Sequence, residues 1–91
     1  MKSIIQTEKQ CYFCHTSKGL HKHHIYGASN RKNSERYGFT VYLCPEHHNM
    51  SNDSVHRDIH MNNALKALCQ RTFEETHTKE DFMKIIGRSY L

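Results

Sequence analysis

Cys11 and Cys14 stand two residues apart, and so do Cys44 and His47. A two-residue gap lets one tight turn aim both side chains at a single ion, and the two pairs together supply the four ligands of a tetrahedral site. Thiolate and imidazole donors favour Zn²⁺ on softness. His48 directly follows His47 and competes for the fourth position, with His15 a more distant rival. The chain holds nine histidines and four cysteines in 91 residues, a composition biased toward metal ligands. His23 and His24 form a further pair. Neighbours on a strand point to opposite faces, so these two cannot be equivalent ligands of one ion. They suit a division of labour, in which one binds a metal and the other reaches a water or phosphate as general base. Taken without their context, they also suit a polar strand edge with solvated imidazoles.

The elements that must position these residues are short. CYFCHTSKG, residues 11–19, has the composition of a turn that presents two thiolates to one metal. Residues 20–26 form a β-prone run ended by Gly27. Residues 28–36, rich in Ser, Asn, Lys and Arg, predict an exposed loop. GFTVYLC, residues 38–44, has the β-branched and aromatic content of a strand, and Pro45 stops it. From about Asp53 the spacing of Val55, Ile59, Leu65, Leu68, Cys69 and Phe73 turns helical, with Asp53 or Ser54 as N-cap and a weak middle at Asn62 and Asn63. Thr78 with Asp81 three residues on predicts a capping box for a second helix, which Gly87 ends. Tyr90 and Leu91 either dock or fray. The fold class expected is α+β, with two strands and C-terminal helices that cover them.

Length and composition bound the rest. Ninety-one residues make one domain, divided into residues 11–60, which hold the chemistry, and a helical extension over residues 61–91. Only 36% of the chain is apolar and its mean hydropathy is −0.84, so a metal centre is expected to supplement a thin core. Thirteen Lys and Arg against nine Asp and Glu favour a polyanionic partner. Arg31, Lys32, Arg36, Lys22 and Lys18 are spaced to meet DNA phosphates, although solubilising charge looks the same in sequence. No run has the length of a membrane span, and the first ten residues lack the apolar stretch of a signal peptide, so a cytoplasmic protein is expected. In a reducing compartment the cysteine pairs read as ligands before disulfides.

In order, CYFC, HKHHIYG and YLCPEHHN resemble the HNH, or ββα-metal, endonuclease family in its small phage-type form with a zinc knuckle. The likeness covers residues 11–56 and is specific for the ordered set rather than for any single piece. It implies a ββα-metal core in a bacterial or phage-infected cell. It also implies His23 as a ligand of a catalytic divalent ion, His24 as general base, Cys11, Cys14, Cys44 and His47 on structural zinc, and His48 on the catalytic ion. A His stands where the family's second Cys is usual, so the division between His47 and His48 rests on spacing. The next catalytic-ion ligand is His56 if the chain folds back, or Asn52 if a continuous helix runs on from His48. The family's Asn, which orients the base, falls on Phe39; Asn30 and Asn33 are the substitutes within reach.

The activity implied is hydrolysis of DNA phosphodiester bonds by an endonuclease or nickase using Mg²⁺ or Mn²⁺, with Zn²⁺ or Ni²⁺ able to occupy so His-rich a site. A homodimer would suit cleavage of both strands. The competing reading is a non-catalytic zinc-binding module that holds nucleic acid or a protein. A thiol redox role for Cys11 and Cys14 is disfavoured, since no thioredoxin-like βαβ pattern surrounds them.

Overall fold

The computed structural model describes residues 2–50 and 54–91. Strands β1 (His21–His24) and β2 (Thr40–Leu43) pair antiparallel, with His21 opposite Leu43, Lys22 opposite Tyr42, His23 opposite Val41 and His24 opposite Thr40. Directly paired residues share a face. His21 and His23 therefore lie with Leu43 and Val41, both buried, while Lys22 and His24 lie with Tyr42 and Thr40. Each strand is shorter than its β-prone run; just beyond the paired residues the Ile25 N–H still donates to the Phe39 carbonyl at 2.9 Å, and Ile25, Tyr26 and Phe39 are buried in the core.

Residues 28–36 are helical, not the exposed loop their polarity predicts. A 3₁₀ turn, Ala28–Asn30, leads into α1 (Arg31–Tyr37). The anchor of α1 is Ser34, which is fully buried: its hydroxyl donates to the carbonyl of Tyr26 at 2.7 Å and accepts the Tyr26 N–H at 3.1 Å. A helix anchored by polar side chains leaves no apolar periodicity to read. Gly38 ends it at φ +77°, and a Cβ there would stand 2.2 Å from the carbonyl oxygen of Lys2. That contact follows from the N-terminal segment, whose Ile4 N–H donates to the Gly38 carbonyl at 3.0 Å.

After β2 comes one wide helical turn, Glu46–Met50. Helix α2 (Ile59–Glu74) begins later than expected: Asp58 is its N-cap, accepting from the N–H groups of His60 and Met61. Ser54 instead precedes a turn containing Val55 and His56, and Asp53 lies outside the described residues. The delay has a cause in hydrogen bonding, since the Val55 N–H donates to the His47 carbonyl at 3.0 Å and the His56 N–H to the His48 carbonyl at 3.3 Å, which ties this segment back to the helical turn. Helix α3 (Lys79–Ile86) carries the expected capping box of Thr78 and Asp81, and Gly87 closes it at φ +97°.

Helices α2 and α3 cover the hairpin. Phe39 and Tyr26 meet edge to face at 5.4 Å, and Phe73 and Phe82 close on them at centroid distances of 5.4 to 6.1 Å. Val41, Leu43, Val55, Leu65, Cys69 and Ile86 complete the core. Phe39, at the position where the family's Asn was sought, is wholly committed to this packing. Among the described residues no helix is long and apolar enough to cross a membrane.

Candidate functional site

Two clusters of metal-ligand side chains share the helical turn Glu46–Met50 through the adjacent His47 and His48: Cys11, Cys14, Cys44 and His47, and His23, His48 and His56, each set having its donor atoms within 4.8 Å of one another. Consecutive residues on a helical turn diverge by roughly a quarter turn. That divergence sends His47 to the sulfurs and His48 to the histidines. His15 joins neither; its Nδ1 meets Gln10 at 2.9 Å.

In the first cluster, Cys14 Sγ and Cys44 Sγ are 3.7 Å apart, Cys11 Sγ and His47 Nδ1 3.7 Å, and Cys44 Sγ and His47 Nδ1 3.1 Å. A tetrahedral zinc site with its usual bond lengths has ligand edges of roughly 3.5 to 3.8 Å. The four residues are close enough to hold a metal ion, and the donor set is compatible with zinc. The knuckle is built by backbone bonds: the Cys11 N–H donates to Thr16, the His15 N–H to Cys11, and the Tyr12 N–H to Tyr42 on β2. Burial pushes the Cys11 thiol up, but the N–H groups of Cys14, Cys44 and Phe13 outweigh it and bring it down to about 6. Cys44 moves the other way, raised by burial and by the two facing sulfurs. Three thiolates at this separation require a cation to offset their repulsion.

The second cluster centres on His23. It is 6% exposed, and its buried Nε2 has no hydrogen-bond partner among the described residues. Burial, reinforced by His48 and His56, lowers it to about 3, so near neutral pH the imidazole is uncharged. Its ring lies 5.4 Å from that of His48 and 5.3 Å from that of His56. His48 Nε2 and His56 Nε2 are 3.0 Å apart. A buried polar atom without a partner is costly, and a neutral imidazole beside two others is the donor set that a divalent ion satisfies. An ion held by these three residues alone would keep further coordination positions open. His21, which the sequence reading passed over, completes the arrangement: its Nδ1 is 3.0 Å from His48 Nδ1, which leaves His48 Nε2 to face the cluster. The signal in the sequence was its i, i+2 relation to His23 on one strand face. Asn52 lies outside the described residues.

His24 emerges on the opposite face of β1. Its Nε2 is 2.8 Å from Glu35 Oε2, while Glu35 Oε1 accepts from Lys22 Nζ at 2.7 Å. Hydrogen bonds from Lys22 and His24 hold the Glu35 carboxyl down at about 2. An ionised carboxylate only accepts, so His24 Nε2 is the donor in this pair. Glu35 was missed because it sits on α1, where a loop was expected. Asn30 and Asn33 do not reach His24; their amides donate to the carbonyls of Ile86 and Ile85 and tie α1 to the end of α3.

His23, His24 and His56 line an open cleft of about 390 Å³ together with Gly27, Ala28, Ser29, Lys66 and Tyr90. Arg31 and Lys32, both exposed, begin α1 directly after Asn30, another residue of that lining. Arg36 lies over the Tyr37 ring at 5.6 Å, and Lys22 is engaged with Glu35. A larger groove of about 610 Å³, lined by Lys2, Lys9 and Tyr42 among others, includes no member of either ligand cluster. No protein-family model, curated protein or solved structure matches this chain.

Proposed function

We propose that this protein is a metal-dependent DNA endonuclease or nickase of the HNH type. The observation that carries the reading is the buried Nε2 of His23, without a hydrogen-bond partner among the described residues, in a cluster with His48 and His56 and one residue from a His24 whose Nε2 is bonded to Glu35. The order of β1, β2 and the turn Glu46–Met50, with a Cys3His cluster at its base, supports a ββα-metal core. A divalent ion such as Mg²⁺ or Mn²⁺, when bound by His23, His48 and His56, supplies Lewis-acid stabilisation of the phosphate charge and the leaving oxygen. His24 Nδ1 takes the proton of the attacking water, a task for which a neutral imidazole is well matched at neutral pH. Glu35 is a positioning residue: it fixes the His24 tautomer and ring and stabilises the imidazolium that forms. Arg31 and Lys32 supply phosphate contacts beside the cleft.

Metal stoichiometry tests this reading. Elemental analysis and titration are expected to give two ions per chain, one surviving mild chelation and one removed by it, with the second lost in His48→Ala while the first is kept. A single ion, unaffected by His48→Ala, would favour a zinc module that binds nucleic acid or protein without cleaving it.

A further inference from the structure

The C-terminal segment carries a charge cluster that the proposed reaction does not use. Gln70, fully buried on α2, accepts the Tyr90 N–H at 2.7 Å and donates to Ser89 Oγ at 3.1 Å, which pins the segment to the helix. The Tyr90 ring rests against Tyr26 at 5.4 Å. Around that ring, Lys66 Nζ stands 5.2 Å from the centroid and the Arg88 guanidinium 4.7 Å. Among the described residues neither cation has a carboxylate partner, whereas Lys22 is paired with Glu35. Lys66 and Tyr90 line the same cleft as His23, His24 and His56. Two like charges held on one ring, with Lys66 and the ring lining the cleft, form at the expense of mutual repulsion a positive field that an anion relieves. Cation–π contacts to Tyr90 offset part of that repulsion and leave the donors of both groups available.

We propose that Lys66 and Arg88, held on Tyr90, form a second phosphate subsite, which seats the nucleic-acid backbone phosphate next to the one presented to the histidine cluster. This rests on the reading that the cleft holds DNA, but not on cleavage. The helical extension would then be part of the substrate site as well as a cover for the hairpin.

The test is fluorescence anisotropy of a short duplex DNA with the full-length zinc-loaded protein, without added divalent ion, across a salt series. Lys66→Gln and Arg88→Gln are each expected to weaken binding about 5- to 10-fold and to reduce the slope of log K against log salt by about 1. Lys66→Arg, which keeps the charge, should bind as the parent does, and Lys9→Gln serves as the charge-loss control. Unchanged affinity and slope in both Gln variants, with melting preserved, would overturn the subsite, as would an equal loss in Lys9→Gln. Inorganic phosphate and a mononucleotide form a second arm. If they bind in a Lys66-dependent manner while DNA binding ignores Lys66 and Arg88, the site takes a free phosphate and the backbone assignment fails. Lys66- and Arg88-dependent DNA binding without any cleavage would uphold the subsite and remove only the nuclease reading; cleavage by variants that bind as the parent does would do the reverse.

Discussion

Stripping zinc from the protein with a strong chelator is expected to abolish its cooperative melting transition, and Cys11→Ser is expected to do nearly the same without chelator. The apolar content is low, and the core is one aromatic cluster between a four-residue hairpin and two helices. Domains of this size have total stabilities of about 5 to 15 kcal/mol, whereas a structural zinc of this donor type contributes on the order of 10 kcal/mol. The ion's contribution thus rivals the whole margin. The cluster also joins pieces far apart in sequence, the knuckle at Cys11 and Cys14 and the turn after β2 at Cys44 and His47, so its loss removes the side-chain link between them. Thiol alkylation gives an independent readout. Cys69 is fully exposed to no solvent in the native fold, and burial pushes its thiol up to about 12. It should react only after global unfolding. Chelation that opens Cys11, Cys14 and Cys44 but leaves Cys69 protected, with an unchanged melt, would contradict a structural role for the centre.

His24→Ala is expected to lower DNA cleavage by about 10²- to 10⁴-fold, the range for loss of a general base, while zinc content, melting and DNA binding remain near the parent values. His24 is only partly buried and lies outside both ligand clusters, so its removal disturbs neither the core nor the metal centres. Glu35→Gln should reduce turnover less, by roughly 10-fold, because the imidazole remains but its tautomer and orientation are no longer held. DNA binding in Glu35→Gln should be at least as tight, since the change frees Lys22. A positioning role further requires that the double variant be no slower than His24→Ala alone. Additive losses would mean that Glu35 acts independently of His24, and undiminished cleavage in His24→Ala would eliminate His24 as the base.

The grouping of Cys11, Cys14, Cys44 and His47 was readable in the sequence because metal chemistry constrains spacing tightly, and the two-residue gaps do bring these four side chains together. The choice between His47 and His48 was not readable from spacing alone. The capping box at Thr78 was readable because its partners are local. What the sequence hid was long-range or polar. The helix α1 is anchored by polar side chains, Ser34 on Tyr26 and Asn33 on the Ile85 carbonyl, so Glu35 could not be placed opposite His24, eleven positions earlier in the chain. The return of His56 to His48 depends on backbone hydrogen bonds across a turn, which leave no composition signal. His21 and the Lys66, Arg88 and Tyr90 group are individually ordinary residues, and only the packing of the C-terminal segment on Gln70 and Tyr26 gives the latter a common location.

Incubation of the zinc-loaded protein with supercoiled plasmid, in Mg²⁺, in Mn²⁺ and without a divalent ion, tests the proposed activity most directly. Conversion to nicked or linear plasmid in the presence of either ion and in its absence none, with His24→Ala inactive throughout, is the expected result. Intact plasmid with every ion, from a folded protein that retains its zinc and binds DNA, would contradict it.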